Sequence, residues 1–195
     1  MSVNFILFLL CLIVIIYLID LPLNKNTPPT IFKEVVVYAS VVALLGPIAE
    51  VAINHFCRAV FNTTLWEYQI FPVHNGDTSL FSCFEWAWYG CHVYFLHKKV
   101  KSFYFKQEFL IFSGLLAIDA LLFEVIVNLA GLAFLDTFIF YYFPADIFHL
   151  STFVALPFYL CLGFAVTNTV KGYLTNPWFF ATTSFATSYI FVFLS

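Results

Sequence analysis

The sequence predicts an all-α fold, a polytopic transmembrane bundle of about six helices forming a single domain over residues 1–195. Three observations carry this reading. Only 10% of the side chains are charged, against about 25% in a soluble domain. Hydrophobic residues make up 63% of the chain and mean hydropathy is +0.94, too apolar for a surface that faces water on all sides. The apolar residues also run without interruption, so the alternation of a membrane β-strand is missing. The same composition excludes a disordered chain, a collagen-like fibre and a disulfide mini-domain. A net charge of −3 excludes a basic nucleic-acid binder, so membrane lipids are the expected surroundings and nucleic acid is not an expected partner.

A helix needs about 20 mostly apolar residues to cross a bilayer core. Six segments qualify: 5–21, 32–60, 79–97, 109–134, 148–169 and 177–194. Short connections between them predict one compact bundle. The first segment follows no basic residue, and Leu21-Pro22-Leu23-Asn24 is not a small-residue cleavage site. It therefore reads as a retained helix rather than a signal peptide. The second segment contains Pro47 and the fifth Pro157, each expected to kink its helix and free a backbone carbonyl. The third opens on Phe84-Glu85-Trp86-Ala87-Trp88-Tyr89-Gly90, and the sixth carries Thr182, Thr183, Ser184, Thr187 and Ser188 without a charge.

Charge placement predicts orientation. Lys25, Lys33, Lys98, Lys99, Lys101, Lys106 and Lys171 fall in or near the loops after segments one, three and five, leaving Arg58 alone toward the other face. Basic loops mark the cytoplasmic side, so both ends of the chain are expected on the opposite side. The acids Glu50, Glu67, Asp77, Glu85, Glu124, Asp136 and Asp146 lie toward that opposite side. Loop acids such as Glu67, Asp77 and Asp136 need no explanation beyond the exclusion of bases. Acids within helices do, because each costs about 2.5–3.5 kcal/mol on insertion scales. Cys11, Cys57, Cys83, Cys91 and Cys161 include no CxxC pair. Spacing leaves a Cys57–Cys83 bridge open without establishing it. Asn62-Thr63-Thr64 is a glycosylation sequon, meaningful in a eukaryotic secretory membrane.

A shift of 74 residues lays Glu50-Val51-Ala52-Ile53-Asn54 on Glu124-Val125-Ile126-Val127-Asn128. It also lays Thr63 on Thr137, Trp66 on Phe140, Tyr68 on Tyr142 and Phe84 on Phe158. With a small gap, Phe71-Pro72 meets Phe143-Pro144. The pattern predicts two copies of a two-helix unit, about 33–100 and 107–172, inserted in the same direction as parallel repeats require. Segments 5–21 and 177–194 flank them.

The candidate chemistry lies on the repeated acids. Glu50 and Asn54, and likewise Glu124 and Asn128, are four apart and share a helix face. Two carboxyls at equivalent depth across an apolar bundle favour one protonated form, suited to acid catalysis on an alkene or epoxide. The plainer reading is a neutral Glu hydrogen-bonded to its own Asn, joining helices. A third is an ion or proton pathway. Glu85 adds a further acid or base candidate, with Trp66, Tyr68, Trp86, Trp88 and Tyr89 as candidate substrate-binding rings whose faces would stabilise a carbocation. The same residues also suit an interfacial aromatic belt around a helix start. Asp146-x-x-His149 has metal-compatible helical spacing, but without an HExxH-type run no metal and no cofactor is expected. His92 reads as a packed histidine, and His97 beside Lys98-Lys99 as a basic cluster at the headgroups.

The order Glu50, Trp66-x-Tyr68, Glu85 resembles membrane-integral lycopene-cyclase-type domains. Those are small helical units, often duplicated, with an acid in one helix, a Trp-x-aromatic segment, then a Pro-x-Glu-Glu-x-x-Phe-Phe motif opening the next. Here Glu85 lies between Phe84 and Trp86, so the paired Glu and the preceding Pro are missing, and Phe153-Val154-Ala155-Leu156 brings no acid to the second copy. The pattern spans roughly residues 40–168. The resemblance implies cofactor-free cyclisation or isomerisation of an isoprenoid by proton transfer. Two other classes remain: a non-catalytic subunit covered by membrane-protein partners, and a small carrier or channel.

Overall fold

A computed structural model describes residues 3–103 and 106–194, which contain six α-helices. They are α1 (Val3–Asn24), α2 (Phe32–Phe61), α3 (Ser82–Lys101), α4 (Glu108–Leu135), α5 (Leu156–Tyr173) and α6 (Pro177–Phe193). Four segments are long and apolar enough to cross a membrane: α1, α2, α4 and Phe153–Tyr173, which includes α5. The other two differ for visible reasons. α3 carries Glu85, two histidines and three lysines, and α6 has only 17 residues.

The core is two helix pairs, α2 with α3 and α4 with α5, brought close by matching glycines. A Cβ on Gly90 of α3 would lie 2.7 Å from Ala39 Cα of α2, and one on Gly163 of α5 would lie 2.7 Å from Ser113 Cα of α4. Only a residue without a side chain allows either crossing. α1 lays Phe8, Leu12 and Ile16, spaced by four, against α3 and α4, while most of its other side chains stay exposed. α6 packs mainly on α2 through Ala181, Ser184, Ser188 and Val192. There the Ser188 hydroxyl donates to the Ala43 carbonyl at 2.5 Å.

Short strands close one end of the bundle. β1 (Trp66–Tyr68), β2 (Pro72–Val73) and β3 (Thr78–Ser79) link α2 to α3, and β4 (Phe140–Tyr142) lies between α4 and α5. β2 pairs with β3, and β1 pairs antiparallel with β4 in the register Trp66↔Tyr142, Glu67↔Tyr141, Tyr68↔Phe140. The bonds Gln69 N–H to Ile139 O (2.9 Å) and Phe143 N–H to Leu65 O (3.1 Å) extend this ladder equally at both ends. The ladder therefore has a local two-fold axis through Glu67 and Tyr141. α2 and α4 end alike, on Asn62 (φ 58°) and Asp136 (φ 54°), residue types that tolerate the left-handed region.

Two segment starts differ from the sequence reading. α3 begins at Ser82 because Ser79 belongs to β3. α5 begins at Leu156 because Phe148 and His149 take φ values of 53° and 63°, which no helix accepts. Pro157 consequently sits in the first turn of α5 and does not kink it. Pro47 does lie inside α2, which continues through it. Cys57 and Cys83 are both free thiols.

Candidate functional site

Between the two helix pairs, under the β1–β4 ladder, lies a cleft with about 700 Å³ of space not filled by atoms, part of it open to the surroundings. Glu50, Glu85 and Glu124 all line it, as do Trp66, Tyr68, Trp86 and Tyr89. Phe123, Phe140, Tyr142, Phe158 and Tyr159 add five more rings. Trp88 faces elsewhere, into a second cavity of about 660 Å³ beneath α1.

Each repeated glutamate is fixed by hydroxyl and indole donors. Glu50 Oε1 accepts from the Tyr68 hydroxyl and from Trp86 Nε1 at 2.8 Å. Its Oε2 accepts from Thr78 (2.5 Å) and Ser82 (2.8 Å). Glu124 Oε1 accepts from the Tyr142 and Tyr159 hydroxyls, and Oε2 from Ser151 at 2.5 Å. A carboxyl group has lone pairs enough to accept all of these bonds, four at Glu50 and three at Glu124. The donors occupy matching places: Tyr68 and Tyr142, Thr78 and Ser151, Trp86 and Tyr159. From β3 onward the correspondence runs at 73 residues rather than 74, so Phe158 stands opposite Glu85 and Ala155 opposite Ser82.

The asparagines do not bond their glutamates. Asn54 Oδ1 accepts from Leu65 N–H (2.9 Å) and Nδ2 donates to Trp66 O (3.0 Å). Asn128 likewise accepts from Ile139 N–H (2.9 Å) and donates to Phe140 O and Leu150 O, both at 2.8 Å. The expectation of a Glu paired with its own Asn is therefore corrected: each Asn fixes the backbone of the strand that brings the tyrosine. Both amides are fully buried, where an unmade backbone bond costs about 1–3 kcal/mol.

Glu85 differs from the other two. It is half-buried in the cavity wall and forms no hydrogen bond among the described residues. Further along the wall, Tyr89 donates to Asp119 at 2.8 Å, and Asp119 contacts His92 Nε2 at 3.1 Å. His92 Nδ1 reaches Asp20 of α1 at 2.6 Å. This polar line ties α1, α3 and α4 together and accounts for His92 as a packed histidine.

Three other readings change. Asp77, expected as an unremarkable loop acid, is buried and takes a two-pronged contact from Arg58, with Nη1 at 2.7 Å. His97 is buried between the Tyr38 hydroxyl (2.5 Å) and Glu108 (2.9 Å) rather than set at the headgroups. Asp146 and His149 lie on a loop, where Asp146 accepts from Phe153 N–H at 2.8 Å and His149 bonds Tyr142 O at 2.7 Å. Their helical spacing does not exist.

Thr78, Ser82, Ser151, Tyr142 and Tyr159 are the site residues that the sequence did not single out. Tyr142 had a signal, the 74-residue match to Tyr68. Small hydroxyls in connections and at a helix start carry none. No protein-family model, no curated protein and no solved structure matches this chain.

Proposed function

We propose that this chain is a multi-pass membrane enzyme acting on an isoprenoid or similar apolar lipid by carboxyl acid–base chemistry. The basic loops after α1, α3 and α5 face the cytoplasm in this reading. The observation that carries it is Glu85, a carboxyl without a hydrogen bond in an aromatic cavity flanked by two hydrogen-bonded carboxyls. A lone carboxyl among apolar groups is held more cheaply with its proton than without. From there it transfers the proton to an alkene carbon: a C–H bond forms, the π bond breaks and a carbocation remains. Ring faces and the oxygens of Glu50 and Glu124 stabilise that cation. In cyclisation a second double bond attacks it, forming a C–C bond and moving the positive charge; in isomerisation it does not. In either case a carbon next to the cation then loses a proton to the Glu85 carboxylate as a double bond re-forms. Atoms and charge balance with no oxidant or cofactor.

The recurrent contacts support the two-helix units as copies of one ancestral unit, with Glu85 present in only one. They also leave the resemblance to lycopene-cyclase-type domains as a guide to substrate class. The test compares lipid extracts of cells expressing the native chain, the Glu85→Gln variant or nothing. We expect an isoprenoid or lipid species that changes with the native chain and not with the variant. An extract that never changes would overturn the reading.

A second reading has its own observation, the saturated hydrogen bonding of Glu50 and Glu124, which suits a structural role in a non-catalytic membrane subunit. Gentle detergent extraction separates the two. A subunit comes out with partner proteins, and an enzyme of this kind runs alone.

A further inference from the structure

We infer that the space beneath α1 is the second half of the substrate site and holds the tail of an isoprenoid hydrocarbon chain that runs past Glu85. This rests on the cavity between the helix pairs being the reaction site. The two spaces, about 700 and 660 Å³ of empty volume, share Glu85 and Phe123 as a common wall. A chain occupying both passes that carboxyl at its middle.

The second chamber is built for hydrocarbon. Phe8, Leu9 and Leu12 of α1 form one side, and Phe84, Trp88 and Val127 form the other. Among the lining residues only Ser79, Glu85 and the indole N–H of Trp88 are polar. The Ser79 hydroxyl is already engaged, donating to Ile70 O at 2.8 Å and accepting from Phe81 N–H at 3.3 Å. A ligand therefore meets apolar side chains nearly everywhere, with the Glu85 carboxyl at the entrance. Such a lining suits a hydrocarbon better than water.

The other half has no equivalent group: Phe158 takes the place of Glu85, with its ring 6.3 Å from that of Phe56. Only on the Glu85 side does a carboxyl stand where two spaces adjoin. Binding from a bilayer gains little from leaving water, since lipid is equally apolar. Selection instead comes from packing contacts, which reward a chain that fills both chambers at once.

The test uses the purified chain in lipid nanodiscs and a tetraprenyl hydrocarbon carrying a photoactivatable diazirine at each end. We expect doubly attached probe joining an α1 peptide containing Leu9 or Leu12 to a peptide containing Ala49 or Leu162. Excess unlabelled tetraprenyl hydrocarbon should abolish the attachment. Leu9→Trp, which fills the second chamber, should remove attachment at α1 and leave attachment at Ala49 or Leu162. The milder Leu9→Phe should weaken it if the Trp variant does not fold. Attachment confined to the first cavity overturns this inference alone. So does α1 labelling that survives competition, which would mark the chamber as filled by a lipid acyl chain. Attachment in neither chamber overturns the proposed function as well.

Discussion

Glu50 and Glu124 stand in corresponding places on α2 and α4, yet they are held by different sets of donors. Around Glu124 every donor is a hydroxyl, from two tyrosines and a serine, and each can turn from donating to accepting. Around Glu50 one of four donors is an indole N–H, which can only donate. The indole commits only Oε1 of Glu50 to accepting, since Oε2 faces the turnable hydroxyls of Thr78 and Ser82. Similar frameworks therefore fix one oxygen of Glu50 and leave both oxygens of Glu124 among turnable hydroxyls. Glu85, with Phe158 as its counterpart, adds a carboxyl without a hydrogen bond among the described residues to only one half.

Paired substitutions break or sharpen this contrast. The largest effect is expected for Glu50→Ala, which strands four buried donors, against three for Glu124→Ala. Each donor left buried and unpaired costs about 1–3 kcal/mol, with Glu50→Ala the worse of the two when unfolding is followed in detergent micelles. Equal losses would mean that the extra Ser82 bond contributes nothing. Asn128→Ala should come next, at about 2–3 kcal/mol, and should exceed Asn54→Ala by about one hydrogen bond, near 1 kcal/mol. The difference is its added bond to Leu150 O.

Gly90→Ala and Gly163→Ala probe the part of the frame where the halves agree. Each forces a Cβ to 2.7 Å from a neighbouring Cα, so each should lower stability by about 1–3 kcal/mol and to a similar degree. A twofold disparity in those losses would show that the two helix pairs are not equivalent in tightness. The smallest effect is expected for Glu85→Gln, which breaks no hydrogen bond and should leave thermal stability within about 0.5 kcal/mol. If that variant unfolds, Glu85 has a structural partner and the acid–base reading loses its support.

The extents of α2 and α4 were legible because long apolar runs end at residues that break helices, Asn62 and Asp136. α5 was read eight residues too early, since Phe148–Ala155 is apolar without being helical. Hydropathy does not separate a packed loop from a helix. There the Asp146 side chain turns the chain into a 3₁₀ turn before Pro157 can start α5. Within the site, the shift of 74 residues exposed both glutamates and both strand tyrosines. It failed from β3 onward, where one residue fewer in the second connection moves Phe158 from Phe84 to Glu85. Thr78, Ser82 and Ser151 stayed invisible because small hydroxyls in connections and at a helix start have no pattern until the chain folds over them.

The strand ladder also decides where the bundle can open. α2 is tied to β1 by the Asn54 amide, β1 to β4 by the ladder, and β4 back to α4 by the Asn128 amide. Those links clasp α2 to α4 at that end. Parting them would strip several backbone bonds together, each worth several kcal/mol where water is absent. The seam along α1 is held instead by side-chain packing and by two polar contacts, Asp20 with His92 and Lys98 with Asn24. One rim of the bundle is thus held by backbone bonds, whereas its first helix is held by side chains alone.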